Sequence, residues 1–221
     1  MALNSFIIAI SNKQLRCYAL LAVTLDDNFH YHSAQFLPGV WLSALHQLTR
    51  NPEQYGVKFM VNLVIMRHGE AEPMSVQDSQ RQLTVRGQHD VSQMALWLQH
   101  HYAAFDWIWA SPYMRTRQTA EIMVAKQAGF SQLEIISELV PDGDANIFKR
   151  YFDARLSVKP DARVLLVSHM PLVSFLVEAF TVTGQAPVFS PAQLACIDYK
   201  PTQGGQLLER LSPQELALLS F

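Results

Sequence analysis

The stretch Leu63-Val64-Ile65-Met66-Arg67-His68-Gly69-Glu70 decides how this chain folds and where its chemistry lies. Its first four residues form a short apolar run, and an apolar run bounded by glycine is typical of a buried strand. Polar residues directly after such a strand lie at the sheet edge where open α/β folds bind their ligands. Arg67 and His68 therefore mark a predicted ligand site, and Gly69 permits a sharp turn that leaves room for a ligand.

Two further apolar runs lead to polar residues in the same way. Val164–Val167 is followed within two residues by His169, and Trp107–Ala110 is followed by a segment that holds Ser111 and Arg115. The carboxyl ends of neighbouring parallel strands meet at one edge of a sheet. We therefore expect two histidines and two or three arginines to converge on a single pocket.

An arginine beside a histidine suits the binding of a phosphoryl group and nucleophilic attack on it. A neutral imidazole nitrogen attacks phosphorus to form a phosphohistidine, which makes His68 the candidate nucleophile. Its other ring nitrogen then needs a fixed partner, such as a backbone carbonyl in the following turn. A guanidinium group binds two phosphate oxygens through parallel hydrogen bonds and stays charged. Arg67 and one helix arginine therefore form a candidate clamp for the phosphoryl group. Arg115 and Arg117 cannot share one helix face, so only one of them is expected at the site.

The composition limits the class of protein. With 221 residues, 49% hydrophobic and 16% charged, the chain has the balance of a globular protein rather than a disordered one. A net charge of −2 argues against nucleic-acid binding. The two cysteines, Cys17 and Cys196, predict neither a disulfide framework nor a cysteine-rich metal site, which favours a reducing cytoplasm. No apolar run approaches the roughly 20 residues that span a bilayer.

The first 59 residues stand apart from the rest of the chain. Basic residues precede an apolar run at 17–25, as in an export signal, but acidic residues follow directly and no small-residue cleavage site is visible. Three interpretations stay open: a small accessory α/β element, a docking segment, or an artefact of an upstream start codon. We favour the artefact, because Met60 immediately precedes the first predicted strand and residues 60–221 have an ordinary domain size.

The remaining chain alternates predicted strands with predicted helices. Helices are expected over 84–101 with Thr84 as N-cap, 115–128 closed by Gly129, 146–156, 172–182, and from Pro213 onward. Strands are expected over 63–66, 107–110, 133–136, 163–168, 195–199 and 206–211, the last two joined across Gly204-Gly205. This alternation predicts an α/β three-layer sandwich with a mostly parallel central sheet.

In combination, these segments resemble the histidine phosphatase superfamily. Its signature is Arg-His-Gly after the first strand, Ser-Pro-x-x-Arg-x-x-Gln-Thr at the second, and a later strand that ends in histidine. The chain carries these parts in order at Arg67–Gly69, Ser111–Thr119 and His169. The resemblance runs from about Met60 to the C-terminus. Four further segments resemble the small bacterial phosphohistidine phosphatases of the SixA type: Met66–Ala71, Leu83–Gly87, Glu138–Asp144 and Val167–Val173.

The resemblance implies a phosphatase with a phosphoglycerate mutase-like fold. No metal or other cofactor is expected, because arginine and histidine supply the positive charge and the nucleophile, and the acidic residues lack the pattern of two-metal phosphatases. The resemblance also implies roles for six residues, which are His68 as nucleophile, Arg67 and Arg115 as phosphate clamp, His169 as a hydrogen-bonding group for the phosphoryl oxygens, neutral or as imidazolium, and Gly69 and Ser111 as further substrate contacts.

The substrate that the resemblance implies is phosphohistidine on a partner protein, such as a histidine phosphotransfer domain of a signal-transduction relay. A cytoplasmic monomer with no nucleic-acid and no membrane partner is expected. Two other functions stay open: a small-molecule phosphomonoesterase or mutase-like phosphotransferase, and a non-catalytic phosphate-binding module. The intact His68 argues against the binding module, because a binder can lose its nucleophile and keep its phosphate affinity.

No residue is an evident proton donor for the leaving group. Cleavage of an alkyl phosphate ester expels an alkoxide and needs an acid, whereas a phosphoramidate expels a better leaving group, imidazole. The candidates are Glu138, Asp142, Asp144, and Asp78 within the polar segment 69–83, which we expect to form a lid. None of them stands out, and this mildly favours a phosphohistidine substrate.

Overall fold

The central sheet of the protein has six strands. The computed structural model describes residues 61–74, 77–127, 129 and 131–219, so the predicted extension over 1–59 lies outside the described residues. The strands, in chain order, are β1 (Leu63–Arg67), β2 (Trp107–Ala110), β3 (Gln132–Ile135), β4 (Val164–Ser168), β5 (Leu194–Lys200) and β6 (Gly204–Leu211). They lie in the order β3-β2-β4-β1-β5-β6. The first four are mutually parallel, and β5 and β6 extend the sheet in antiparallel fashion beside β1.

Helices cover both faces of the sheet. They are α1 (Val85–His101), α2 (Met114–Lys126), α3 (Ala145–Val158), α4 (Leu172–Phe180) and α5 (Pro213–Leu219). Two short 3-10 helices, Asp78–Gln80 and Ser137–Leu139, lie in the loops after β1 and β3. Within the described part of the chain, no helix combines the length and the apolar character needed to cross a membrane.

The central strands are buried on both faces, which is why their sequences are continuous apolar runs. In β1, Leu63 and Ile65 pack into a core shared with helices α3 and α4, where Phe148 is fully buried. Val64 and Met66 pack into a second core shared with α1 and α2. Successive side chains of a strand point to opposite faces, so one strand contributes to both cores. The predicted three-layer α/β sandwich with a mostly parallel sheet is confirmed.

The strand order positions the site. Strands β2, β4 and β1 are adjacent and parallel, so their carboxyl ends lie side by side. The residues predicted at the pocket lie at these three strand ends, in the loops that follow them and in the first turn of α2. The fold thus brings together segments that are far apart in the sequence.

Several predicted boundaries differ from the structure by one or two residues. Helix α4 ends at Phe180 rather than Val182, and Val182 is exposed. Helix α2 ends at Lys126, short of the expected end at Ala128, which lies outside the described residues.

The turn between the last two strands is also different from the prediction. It is formed by residues 201–203, whereas Gly204 and Gly205 belong to β6. A Cβ at Gly205 would lie 2.6 Å from the carbonyl oxygen of Phe180, so the close approach of α4 to this strand requires a glycine there.

Gly87, in the first turn of α1, fixes the distance between that helix and the loop after β1. A Cβ on Gly87 would overlap the carbonyl oxygen of Glu70 and lie 2.8 Å from its amide nitrogen. The helix begins beside this contact, where Thr84 accepts a hydrogen bond from the Gly87 amide at 2.9 Å.

We expect Gly87→Ala to destabilise the protein by about 1–3 kcal/mol, because the added methyl group meets backbone that cannot move away. Helix propensity alone predicts the opposite sign, a gain of up to about 1 kcal/mol. Urea unfolding measures the difference. Gln93→Ala, at an exposed position of the same helix, is the control and should change the free energy of unfolding by less than about 0.5 kcal/mol. An unchanged or higher stability for Gly87→Ala would refute this account of the contact.

Candidate active site

The structure brings all the predicted site residues together at the carboxyl ends of β1, β2 and β4. Arg67 ends β1 and His68 follows it, Ser111 follows β2, and His169 follows β4. Arg115 is the second residue of α2 and reaches back to His68. The imidazole rings of His68 and His169 lie 5.1 Å apart, measured between centroids.

The His68 ring is fixed at both nitrogens. Its Nδ1 lies 2.7 Å from the carbonyl oxygen of Gly69, and a carbonyl only accepts, so Nδ1 carries the proton and donates. Arg115 Nε donates to His68 Nε2 at 3.1 Å, so Nε2 is the unprotonated nitrogen, whose lone pair accepts this hydrogen bond. The backbone of His68 is held as well, because its amide donates to Ser168 and its carbonyl accepts from Ala192, both at 3.0 Å.

The surroundings keep His68 neutral. Its side chain is buried, with 7% of the residue exposed. Burial, and secondarily the positive charges of Arg115 and Arg67, lower the pKa of the His68 imidazole to about 3. The ring is therefore uncharged at neutral pH and its Nε2 is nucleophilic without prior loss of a proton.

Gly69 has a different role from the one that the sequence suggested. We expected this glycine to leave room for a ligand, but a Cβ there would lie 2.7 Å from Val91 Cγ2 and 2.8 Å from the carbonyl oxygen of Gly87. The space beside Gly69 is thus filled by helix α1. Its amide donates to Thr119 Oγ1 at 3.2 Å, and its carbonyl holds His68. Gly69 orients the nucleophile and packs against the helix.

Arg67 is anchored on one side only. Its Nη1 donates to the carbonyl oxygen of Phe189 at 2.6 Å, while its Nε is buried and has no hydrogen-bond partner. Burial, and secondarily the charge of Arg115, lower the pKa of the guanidinium. The group still stays charged at working pH, since arginine does not deprotonate in proteins. The contact with Phe189, which lies 122 positions away along the chain, was not predicted.

Arg115 is the helix arginine that belongs to the site. It is only 4% exposed, whereas Arg117 is exposed on the surface of α2. The Arg115 guanidinium lies over the Tyr113 ring, with Cζ 4.9 Å from the ring centroid. Besides the bond to His68, Arg115 Nη1 donates to the backbone carbonyl of Asp78 at 2.7 Å and Nη2 to its carboxylate at 3.0 Å.

His169 and Ser111 form the wall opposite Arg115. His169 Nε2 lies 2.9 Å from Ser111 Oγ, and the His169 Nδ1 is buried with no hydrogen-bond partner. Burial, and secondarily the proximity of His68 and Arg115, lower the pKa of His169 to about 2. Of the two protonation states that the sequence left open, these surroundings favour the neutral imidazole over the imidazolium.

Two buried polar atoms at the site therefore lack a partner, Arg67 Nε and His169 Nδ1. Buried polar groups are nearly always hydrogen-bonded, and an exception calls for an explanation. Both atoms belong to residues that flank His68, and each is able to donate to an anion. An oxyanion bound beside His68 Nε2 would satisfy them.

Among the described residues, three of the four candidate acids form no hydrogen bond or ion pair with a site residue. Glu138, Asp142 and Asp144 are exposed, and Asp144 caps helix α3 by accepting from the first amides of that helix. Asp78 does reach the site, and its carboxylate pairs with Arg81 and Arg115. Hydrogen bonds from Arg81 and then Arg115 hold the pKa of the Asp78 carboxyl below its usual range. A carboxylate in that state is a poor proton donor.

The contact between Asp78 and Arg115 was not predicted. The sequence placed Asp78 in a polar segment, and the only local signal was Arg81 three residues later.

Among the residues that the structure describes, no group of three or more histidine, cysteine or acidic side chains is arranged to hold a metal ion.

The two buried histidines make stability depend on pH. In the unfolded chain they titrate near 6.5, but in the folded protein His68 titrates at about 3 and His169 at about 2. Between pH 7 and 5 the unfolded state therefore binds more protons, so the free energy of unfolding falls as the pH is lowered.

We expect His169→Gln, whose amide can keep the contact with Ser111, to lose about half of this decrease, since one of the two histidines is gone. Urea unfolding at a series of pH values between 7 and 5 measures the slope. Parallel curves for the wild type and the variant in this range would show that His169 is not held neutral by the fold.

Known proteins share both this sequence pattern and this fold. A family model of the histidine phosphatase superfamily (branch 1) matches residues 63–140. The phosphohistidine phosphatase SixA of Escherichia coli is 31% identical over 158 residues, which cover 72% of this chain and 98% of that protein. A SixA homolog of Haemophilus influenzae is 32% identical over 162 residues, which cover 69% of this chain and 97% of the homolog.

A solved structure also shows the similarity to SixA. The structure of the protein histidine phosphatase SixA complexed with tungstate is 32% identical in sequence and superposes with a TM-score of 0.66, over 70% of this chain and 98% of that one. The predicted resemblance to SixA-type proteins and to phosphatases is thus confirmed by sequence and by fold. This chain belongs to the histidine phosphatase superfamily.

Proposed function

We propose that the protein is a phosphohistidine phosphatase, which removes phosphate from a histidine of a partner signalling protein through a phospho-His68 intermediate. The observation that supports this proposal best is the state of His68: neutral, with its proton fixed on Nδ1 and its Nε2 lone pair turned toward Arg115. Arg67 Nε and His169 Nδ1 lie in the same site as unpaired groups for the phosphoryl oxygens.

The reaction has two steps. His68 Nε2 attacks phosphorus while the bond between phosphorus and the substrate imidazole breaks, and the substrate imidazole leaves in its neutral form because its other ring nitrogen has taken a proton from water. A water molecule then attacks the phospho-His68, the bond between phosphorus and Nε2 breaks, and inorganic phosphate and neutral His68 result. Arg67 and Arg115 stabilise the charge on the transferring group, and His169 is a third contact to its oxygens.

The absence of a placed acid among the described residues supports a nitrogen leaving group. The carboxylate that reaches the site, Asp78, is paired with two arginines and has a lowered pKa. An alkoxide would leave slowly without a proton donor, whereas an imidazole leaves readily once it carries a proton. The Escherichia coli relative is named a phosphohistidine phosphatase and the Haemophilus influenzae relative its homolog, in agreement with this substrate class.

The partner, the compartment and the domain limits belong to the same proposal. We infer a metal-independent catalytic domain over residues 60–221, because every proposed site residue lies between Arg67 and His169 and the relatives match over nearly their whole length. A phosphohistidine side chain on a histidine phosphotransfer domain suits a site that is built on short loops at the sheet edge. A cytoplasmic relay is the setting that we expect.

The test is a paired assay with the purified protein in the presence of a chelator. One substrate is a phosphohistidine-bearing phosphotransfer domain and the other is p-nitrophenyl phosphate. We expect rapid loss of phosphate from the protein substrate, slow ester hydrolysis, and a decrease of about 10³-fold or more in His68→Ala, because the nucleophile is removed.

His89→Ala is the matched control, since His89 is an exposed histidine on helix α1. It should retain full activity. Efficient ester hydrolysis without action on the phosphorylated protein would instead identify a small-molecule phosphatase. Steady turnover by His68→Ala would refute the nucleophile, and loss of activity that added metal restores would refute the metal-free mechanism.

A further inference from the structure

Asp78 occupies the part of Arg115 that a phosphoryl group would need. The Asp78 carboxylate oxygen Oδ2 lies 3.0 Å from Arg115 Nη2, and its backbone carbonyl lies 2.7 Å from Nη1. Arg115 Nε is bonded to His68 at 3.1 Å. All three nitrogens of this buried guanidinium are thus in use in the absence of substrate.

A phosphoryl group cannot bind here without displacing these contacts. Guanidinium groups bind phosphate through two parallel hydrogen bonds, and carboxylates bind them in the same way. A phosphoryl group that is transferred to His68 Nε2 must lie beside Arg115 Nε, so the neighbouring Nη2 is the second donor within reach. That donor is the one that the Asp78 carboxylate holds.

The displaced carboxylate has a second cation at hand. Asp78 Oδ1 accepts from Arg81 Nη1 at 2.8 Å, and Arg81 is itself anchored because its Nε donates to the carbonyl of Glu72 at 2.7 Å. Asp78 can therefore give up Arg115 and remain paired. Because the Asp78 carboxylate stays paired with Arg81 when it leaves Arg115, the exchange between its Arg115-bound and Arg115-free states has a low free-energy cost.

We propose that Asp78 is an internal competitor for the phosphoryl site: its carboxylate holds Arg115 between turnovers, gives way to the phosphoryl group, and returns to displace inorganic phosphate. The proposal rests on the phosphatase mechanism above. It assigns Asp78 a role in product release and anion affinity rather than in proton transfer. By this device a site made of two arginines releases a dianionic product that it would otherwise retain.

The experiment measures the affinity of the full-length protein for orthophosphate and orthovanadate by calorimetry. The inhibition constants of both anions in the turnover assay provide a second measurement. We expect Asp78→Asn to bind both anions about tenfold more tightly, because the charged competitor is lost while the backbone carbonyl of residue 78 is retained. Asp142→Asn removes an exposed carboxylate outside the site and should leave the affinity unchanged. Arg115→Ala should weaken it.

A gain in affinity separates this role from a structural one. If Asp78 only held Arg115 in place, its removal would loosen the clamp and weaken anion binding. An equal or lower affinity in Asp78→Asn, or a gain of the same size in Asp142→Asn, would overturn the proposal. Anion binding requires no phosphohistidine substrate, so this result is independent of whether the paired assay identifies a phosphohistidine or an ester as the substrate.

Discussion

The hydrogen bond from His68 Nδ1 to the carbonyl of the next residue, Gly69, is the interaction on which the rest of the site depends. It places the proton on Nδ1 and leaves the lone pair on Nε2, where Arg115 meets it. The turn that makes this bond is close enough to helix α1 that neither Gly69 nor Gly87 has room for a side chain. The packing of one helix against one loop therefore determines which nitrogen of His68 is unprotonated.

Burial and positive charge act together on this pocket. Both keep the two histidines neutral by lowering their pKa values, and the same arginines that do so are the proposed clamp for the phosphoryl group. A site with this much positive charge binds anions well, including its own product. The Asp78 carboxylate offsets part of that charge while the site awaits substrate.

The features that could be predicted from the sequence are those set by residues adjacent in the chain. The apolar runs and the polar residues after them located His68, Ser111 and His169, because a doubly buried strand has few alternatives. The motif then selected Arg115 over Arg117, and the structure places Arg115 in the site. The contacts of Asp78 with Arg115 and of Arg67 with Phe189 were not predictable, since they join residues 37 and 122 positions apart. The expectation that Gly69 leaves room for a ligand failed, because helix α1 fills the space beside it and only the fold shows that packing.

The central claim is that phosphate passes through Nε2 of His68, and the most direct test is to locate it there. The protein would be mixed with a phosphohistidine-bearing protein, quenched in alkali during turnover, digested, and analysed by mass spectrometry, with phosphorus NMR to distinguish the two ring nitrogens. We expect phosphate on Nε2 of His68. Phosphate on Nδ1 or on another residue, or turnover without any phosphorylated His68, would contradict it.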